Sequence, residues 1–297
     1  ERLRDSSWLF QPELSVDAPD GGAWFTKRAT PRDGRLDPLT ELEDRAMDMV
    51  YRDRVEFGVG HGVSVRAEGV THAHPPRAMR VTTEVMPAHE VAKQTPPGPD
   101  EIPALQELEL DMKALSELPA AQLRAKLEPL ANAYAEWILQ QRARVDDPAV
   151  GLDTHRQAAE EALAACDTAR QRIVAGIALL ESSPDAAKAF AFANRAMWLQ
   201  RTRSIYAQER RRGQTVTPEQ CDQPTNRRWF PFQLAFVLLN LPSLADLHHP
   251  DRTDPVAATG DLLWFPTGGG KTEAYLGLAA FAMAIRRRDR GSRPWRP

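Results

Sequence analysis

The sequence predicts an α+β N-terminal region followed by the truncated start of an α/β domain built on a glycine-rich loop. Three observations lead to this fold class: short alternating apolar segments in residues 1–95, helix-forming residues through most of residues 100–212, and an apolar run, a glycine loop and an apolar helix within residues 229–297. Residues 213–228 contain two prolines and little apolar periodicity, so we predict a linker there.

The N-terminal domain, residues 1–95, is predicted to be β-rich. Alternating segments such as Arg80–Met86 are typical of strands, and the clusters Asp20–Gly22 and Gly58–Gly62 are typical of turns. One helix is expected to begin at Pro38, because proline suits the first helical position and apolar residues then recur at helical spacing for about 15 residues.

The second domain is predicted to be helical. Residues 115–212 are rich in Ala, Leu, Glu, Gln and Arg and are interrupted near Pro148 and Pro184, which predicts about three long helices. Ser183 is a capping residue type placed directly before Pro184, so a new helix is expected to begin at this proline.

Composition limits the classes of function. The formal net charge of −3 gives no global attraction to nucleic acid, so such contacts would need local groups such as Arg210–Arg212 or Arg227–Arg228. Cations also favour helix C-termini, and both interpretations stay open. Cys166 and Cys221 form no metal or disulfide pattern, and the longest apolar stretches are shorter than the ~20 residues of a membrane span. A cytoplasmic protein without a membrane partner is predicted.

The segment from Gly260 to Ile285 predicts a phosphate-binding site. Leu262–Phe265 suits a buried parallel strand and Glu273–Ile285 suits an apolar helix, with the glycines forming the turn between them. Glycines lack Cβ atoms and tolerate positive φ, so consecutive backbone amides can close around a polyphosphate at the helix N-terminus.

Lys271 and Thr272 are predicted to carry the chemistry of this loop. The lysine would reach the β- and γ-phosphates and the threonine hydroxyl would bind Mg²⁺, so the expected cofactors are ATP and Mg²⁺. The general loop pattern has glycine where Phe265 stands. The relaxed form Pro-Thr-Gly-x-Gly-Lys-Thr is instead similar to motif I of superfamily-2 helicases.

A second nucleotide contact is predicted upstream of the loop. In superfamily-2 motors a glutamine shortly before motif I reads the adenine edge, since an amide offers both a donor and an acceptor. By this resemblance Gln233 takes that role, while Phe230 and Phe232 suit either stacking on the base or packing of a helix over Gln233–Leu241. The predicted ATP-binding residues are Gln233, Thr267, Gly268, Gly269, Gly270, Lys271 and Thr272.

Most of the chain, up to about Ile285, resembles the helicase subunit of the DISARM anti-phage defence system. The segments that carry the resemblance are Ser6–Leu14, Tyr51–Gly62, Leu110–Leu115, Phe192–Met197, Trp229–Leu241 and Asp261–Leu278. The resemblance implies a RecA-like ATPase domain in an ATP-driven DNA helicase or translocase. It also implies DNA and a partner subunit as binding partners, beside a methyltransferase that marks self DNA.

The family's later motifs are missing from this sequence. Walker B carboxylates, the arginine finger and the second RecA-like domain are absent, so we expect ATP binding without hydrolysis. The start at Glu1 and the basic run after Ile285 are expected of a fragment or a shifted reading frame. One alternative is a remnant that acts only as a DNA- or partner-binding module through residues 1–212. Another is a P-loop ATPase unrelated to nucleic acid, which the form of the loop and Gln233 disfavour.

Overall fold

The computed structural model describes residues 11–28, 38–73, 75–88, 90, 95–256, 258–264 and 269–289. They form two compact units, the first within Glu1–Ala92 and Arg142–Ala162 and the second within Lys93–Gln141 and Leu163–Pro297. Helices dominate, and small antiparallel sheets accompany them, which confirms the mixed α+β class.

The first unit contains the sheets. Its strands are β1 (Ser15–Asp17), β2 (Phe25–Thr26), β3 (Ser64–Glu68), β4 (Arg77–Ala78) and β5 (Arg80–Glu84). Strand β5 lies between β1 and β3 and pairs antiparallel with both, while β2 pairs antiparallel with β4. The alternation that predicted a strand at β5 is confirmed.

Small side chains fill much of the interior of the first unit. The predicted N-terminal helix is present as α1 (Pro38–Val50), and two 3₁₀ turns follow later, Pro148–Val150 and Asp153–His155. The buried apolar residues among those described are Ala18, Ala78, Val145, Leu152, Ala158 and Ala159.

The three predicted long helices are confirmed. The helices in this part of the chain are α2 (Met112–Glu117), α3 (Ala120–Val145), α4 (Arg156–Ser182) and α5 (Pro184–Arg211), preceded by a 3₁₀ turn at Pro103–Leu105. The hydroxyl oxygen of Ser183 accepts a hydrogen bond from the Ala186 amide at 3.2 Å. Together with Pro184 at the first position, this cap explains why a new helix begins there.

The described residues towards the C-terminal end form four further helices. They are α6 (Pro218–Cys221), α7 (Pro231–Ala245), α8 (Pro250–Thr253) and α9 (Lys271–Asp289). Helix α9 confirms the helix predicted after the glycine loop, and α7 confirms the one predicted around Gln233.

The predicted buried strand before the loop is wrong for Leu262–Trp264, while Phe265 lies outside the described residues. Leu262 is 82% exposed and Trp264 is 73% exposed. A parallel strand needs a neighbouring strand to complete its hydrogen bonds, and the described residues of the second unit include no strand. The start of a RecA-like domain therefore stays a prediction.

One continuous apolar core holds the second unit together. Helix α5 packs on α2 and α9, and α7 packs on α9. The fully buried apolar side chains of this core include Leu115, Leu127, Leu180, Phe190, Leu234, Leu238 and Phe281. Helices α4 and α7 also approach closely, since a Cβ atom on Gly176 would collide with the Leu238 carbonyl oxygen. This core fixes α7 and α9, which carry the predicted ATP-binding residues.

Candidate nucleotide-binding site

The first turn of α7 and the first turn of α9 meet at Gln233. This side chain is only 3% exposed. Its Oε1 accepts a hydrogen bond from the Phe230 amide at 2.8 Å, and its Nε2 donates to the Gly270 carbonyl at 2.6 Å. The glutamine therefore caps the start of α7 and also holds the end of the glycine loop.

Gly270 is required by its backbone and by its neighbour. Its φ is +89°, in the left-handed region that favours glycine. A Cβ atom placed on it would lie 2.6 Å from Nε2 of Gln233, closer than the two atoms can approach. Any side chain here would break the contact between the loop and α7.

Among the other predicted site residues that the structure describes, Gly269 lies just before α9, and Lys271 and Thr272 lie in its first turn. Gly269 and Lys271 are half-buried, and Thr272 is exposed in the first turn of the helix. Thr267 and Gly268 lie outside the described residues. Gln233, Gly270 and Lys271 are thus brought together at the N-terminus of one long helix.

A salt bridge anchors the first turn of α9 to α5. Nη1 of Arg201 lies 3.3 Å from Oε1 of Glu273, and Nε of the same arginine donates to the Asn226 carbonyl at 3.3 Å. Glu273 also suits this position because the N-terminus of a helix is electropositive. The helix that follows the glycine loop is therefore tied to the helical core through charge as well as packing.

A buried tryptophan, Trp229, also connects α5 and α9. Nε1 of Trp229 donates to Oδ1 of Asn194 on α5 at 2.8 Å, and Nδ2 of Asn194 donates to the Phe190 carbonyl at 2.9 Å. A Cβ atom on Gly277 of α9 would lie 2.8 Å from Cη2 of this ring. Trp229 therefore fixes the spacing of α5, α7 and α9 with its polar atom satisfied.

The segment that leads into the loop is held by Arg172 of α4. Its guanidinium makes a bidentate contact with Asp261, with distances of 2.6 Å and 2.7 Å. Its Nε also lies 3.0 Å from Oδ2 of Asp251, in an ion pair without a hydrogen bond from this nitrogen. The hydrogen bonds to Asp261 raise the pKa of Arg172, against the opposing effect of burial.

Arg227 belongs to an internal ion network, which argues against the DNA contact that the sequence left open for it. It donates to both carboxylate oxygens of Asp111 at 2.9 Å and 3.0 Å and to Oδ1 of Asp222 at 2.6 Å. Trp198 donates to the same Asp222 oxygen at 2.6 Å, and Lys113 lies 4.9 Å from the centre of the Trp198 ring. The hydrogen bond to Asp111 raises the pKa of Arg227, although burial opposes this. Two carboxylates bind the guanidinium of Arg227, and only 11% of its side chain is exposed.

The two phenylalanines beside Gln233 stack on each other. The ring centres of Phe230 and Phe232 are 6.0 Å apart, with a 10° angle between the planes. Phe230 is 44% exposed at the start of α7. Phe236 instead makes an edge-on contact with Tyr275 of α9 at 5.5 Å, which is a packing role.

Sequence reasoning missed the side chains that position the loop. The Arg201–Glu273 pair joins residues 72 positions apart, and Arg172 and Asp261 are 89 positions apart. No local pattern connects such partners, because their encounter depends on how the helices pack. The single local signal was Glu273 itself, an acidic residue in the first turn of a predicted helix.

The described residues contain neither a helix that could span a membrane nor a cluster of metal-ligand side chains. No helix in this part of the chain has both the length and the apolar content needed to cross a bilayer. No three His, Cys, Asp or Glu side chains within these residues converge on a possible metal position.

Comparison with known proteins gives one clear relationship. No protein-family model matches the chain. The chain is 34% identical over 286 residues to DISARM protein DrmA of Bacillus paralicheniformis. The match covers 94% of this chain and 23% of that protein, at its N-terminal end, so the chain spans about a quarter of the length of its curated relative. The resemblance inferred from the sequence is confirmed.

Proposed function

Since the chain is a relative of DISARM protein DrmA, we propose that it is the N-terminal part of an ATP-dependent superfamily-2 DNA helicase or translocase in a phage-defence system. Residues 229–297 are then the first part of a RecA-like domain, and this part binds ATP and Mg²⁺. The residues proposed to hold the nucleotide are Gln233, Thr267, Gly268, Gly269, Gly270, Lys271 and Thr272, with Thr272 as the Mg²⁺ ligand.

The observation that carries the proposal is the hydrogen bond from Gln233 to Gly270. It joins two elements that are 37 residues apart and that were each assigned to ATP from the sequence. An amide has two N–H groups and an oxygen with two lone pairs, so Gln233 retains one donor and one acceptor after its two internal hydrogen bonds. That remaining pair matches the edge of an adenine base.

The phosphate side of the site is supported by the start of α9. The backbone amides of a helix N-terminus and the charge of Lys271 both favour a polyphosphate. Gly270 has the positive φ that a phosphate-binding turn needs. Mg²⁺, when bound, would neutralise charge on the β- and γ-phosphates.

DNA, a partner subunit of the defence complex and a cytoplasmic location are proposed for the whole protein. They follow from the relationship to the DISARM protein, of which this chain matches 23%. ATP hydrolysis is likewise proposed for the whole protein. This chain contains no Walker B acidic strand, so ATP binding without turnover is the expected behaviour of residues 1–297.

Calorimetric titration of the chain with ATP and Mg²⁺ tests the proposal. We expect saturable binding, no release of phosphate, and an affinity at least about tenfold lower for Lys271→Ala, because a lysine–phosphate contact is a charge-assisted interaction. Lys126→Ala is the matched control, since Lys126 lies on α3 away from the loop. Equal binding by wild type and Lys271→Ala would contradict the site, and no binding by either would favour a DNA- or partner-binding module in residues 1–212.

Base recognition requires a separate comparison. Gln233→Glu keeps the oxygen that caps α7 but loses the donor to Gly270 and the donor for adenine. We expect this variant to lose its preference for ATP over GTP in the same titration. Circular dichroism at each step separates this loss from unfolding. An unchanged preference would show that Gln233 acts only as a structural link.

A further inference from the structure

The solvent-facing side of α5 carries a stripe of cations and aromatic rings. Its members are Lys188, Phe192, Arg195, Arg203, Tyr206 and Arg210, called here the α5 stripe. Their spacing follows the helical repeat, so the six side chains project from one side of the helix. The four cations are exposed, Phe192 is 53% exposed, and Tyr206 is half-buried.

The cations of the α5 stripe differ from Arg201 and Arg212. Arg201 is paired with Glu273 on α9, and Arg212 at the C-cap is paired with Glu209. Within the part of the chain that the structure describes, no ion pair or side-chain hydrogen bond is found for Lys188, Arg195, Arg203 or Arg210. Two carboxylates lie on α5 beside the ends of the stripe: Asp185, three residues before Lys188, and Glu209, directly before Arg210 and paired with Arg212. The four cations therefore outnumber the carboxylates on their helix, and none of the four has an ion partner among the described residues.

The spacing of the stripe matches an extended polyanion. Successive cations are seven or eight residues apart, which is about 10–12 Å along a helix, and the whole stripe is about 33 Å long. Phe192 and Tyr206 lie between the cations and supply ring faces. Cations that follow a phosphate backbone, combined with rings on which unpaired bases stack, are the chemistry that binds single strands.

We propose that the α5 stripe is a binding surface for single-stranded DNA. The cations contact phosphates, and Phe192 stacks on a base. A duplex would satisfy the charges but would leave the aromatic rings without partners, since its bases are already stacked. The choice of DNA as the polyanion rests on the proposed function, whereas the surface itself is defined by charge and exposure.

Fluorescence anisotropy with a labelled oligothymidine of 20 nucleotides tests the cations of the stripe. We expect the full 297-residue chain to bind it, and the double variant Arg195→Gln/Arg203→Gln to bind about tenfold more weakly with a shallower dependence on salt. The control Arg124→Gln/Arg142→Gln removes the same charge from exposed positions on α3 and is expected to change affinity less than twofold. Equal losses in the two double variants would overturn the proposal, as would absence of binding by the wild type.

The aromatic part of the stripe is tested in the same assay. Phe192→Ala is expected to weaken binding about tenfold, as loss of one base–ring stack does. Trp24→Ala, which removes another exposed ring (58% exposed) from the first unit, is expected to leave the affinity unchanged. If Phe192→Ala has no effect, or if a duplex of equal length competes as well as the single strand, the surface is not specific for single strands and the proposal fails.

The outcome can be separated from that of the ATP proposal. Arg195→Gln/Arg203→Gln should bind ATP as the wild type does, and Lys271→Ala should retain the oligonucleotide. If the chain binds the oligonucleotide through the α5 stripe but does not bind ATP, the proposed nucleotide site is wrong and the proposed DNA surface is supported. If the chain binds ATP but not the oligonucleotide, the nucleotide site is supported and the DNA surface is wrong.

Discussion

The two units of this protein are stabilised by different means. The second unit buries large side chains such as Phe190, Leu238 and Phe281 in one continuous core. The first unit has strands of two to five residues, and many of its described buried apolar side chains are alanines. Burial of large apolar side chains is the main source of folding free energy. The candidate nucleotide site and the α5 stripe both lie in the unit with the larger core.

The ion pairs of the two units also differ, because those of the second unit compared here are less exposed to water. Arg227 and its two carboxylates in the second unit are 11–23% exposed at their side chains. The Arg80–Asp17 pair in the first unit is about half exposed, with 47% and 54% of the two side chains accessible. Water weakens exposed pairs, so they contribute little to stability, whereas a partly buried pair becomes costly when one partner is removed. The comparison therefore predicts where substitutions do most damage.

The largest expected effect is in the core of the second unit. Phe190→Ala removes a ring that is 1% exposed and leaves a cavity, which should lower the free energy of unfolding by about 3–5 kcal/mol. Urea titration followed by hydrogen exchange and mass spectrometry measures this, because peptides from each unit are read separately. Val16→Ala in β1 is the matched control. Since Val16 is 48% exposed, its loss should change stability by less than about 0.5 kcal/mol. Equal effects of the two substitutions would remove the distinction between the units.

A smaller effect is expected for the ion network. Arg227→Met keeps the apolar stem and leaves Asp111 and Asp222 without their shared partner, at a cost of about 2–4 kcal/mol. The same urea experiment measures the loss in peptides of the second unit. The corresponding change in the first unit, Arg80→Met, should produce no resolvable shift because both members of its pair are exposed. If Arg80→Met lowers the free energy of unfolding more than Arg227→Met does, the ion pair of the first unit is the stronger one and the comparison is wrong.

The sequence predicted the helices better than the strands, for a physical reason. Long helices satisfy their own backbone hydrogen bonds, so composition and caps such as Ser183 were enough to place α5. The strand expected at Leu262–Trp264 needs a partner from elsewhere in the fold, and the apolar pattern carries no information about that partner. Local sequence patterns therefore predicted helix α9 correctly, but they predicted a strand just before it that the structure does not contain.

The same limit applies to the candidate site. The loop residues Gly270 and Lys271 and the upstream Gln233 could be chosen from local motifs, and the structure joins Gln233 to Gly270. Arg227 was assigned to a possible DNA path because consecutive arginines suggest a basic surface, yet its two carboxylate partners make it internal. Charge in the sequence indicates a binding surface only where the fold supplies no opposite charge. The four cations of the α5 stripe meet this condition, whereas Arg227 and Arg201 do not.

The smallest effect is a dependence of the ion network on pH, centred on Asp222. Burial alone would raise the pKa of this carboxylate, but hydrogen bonds from Arg227 and Trp198 outweigh burial and lower it. A carboxylate with a lowered pKa in the folded state stabilises the protein fully above its unfolded value of about 4. That contribution is lost as the pH falls through the lower folded value. We therefore expect the urea midpoint of wild type to exceed that of Asp222→Asn at pH 7 and pH 5, and the gap to narrow below about pH 4 because the protonated acid then resembles the amide. A gap that stays constant down to pH 3 would show that the ionised form of Asp222 contributes nothing to the stability of the second unit.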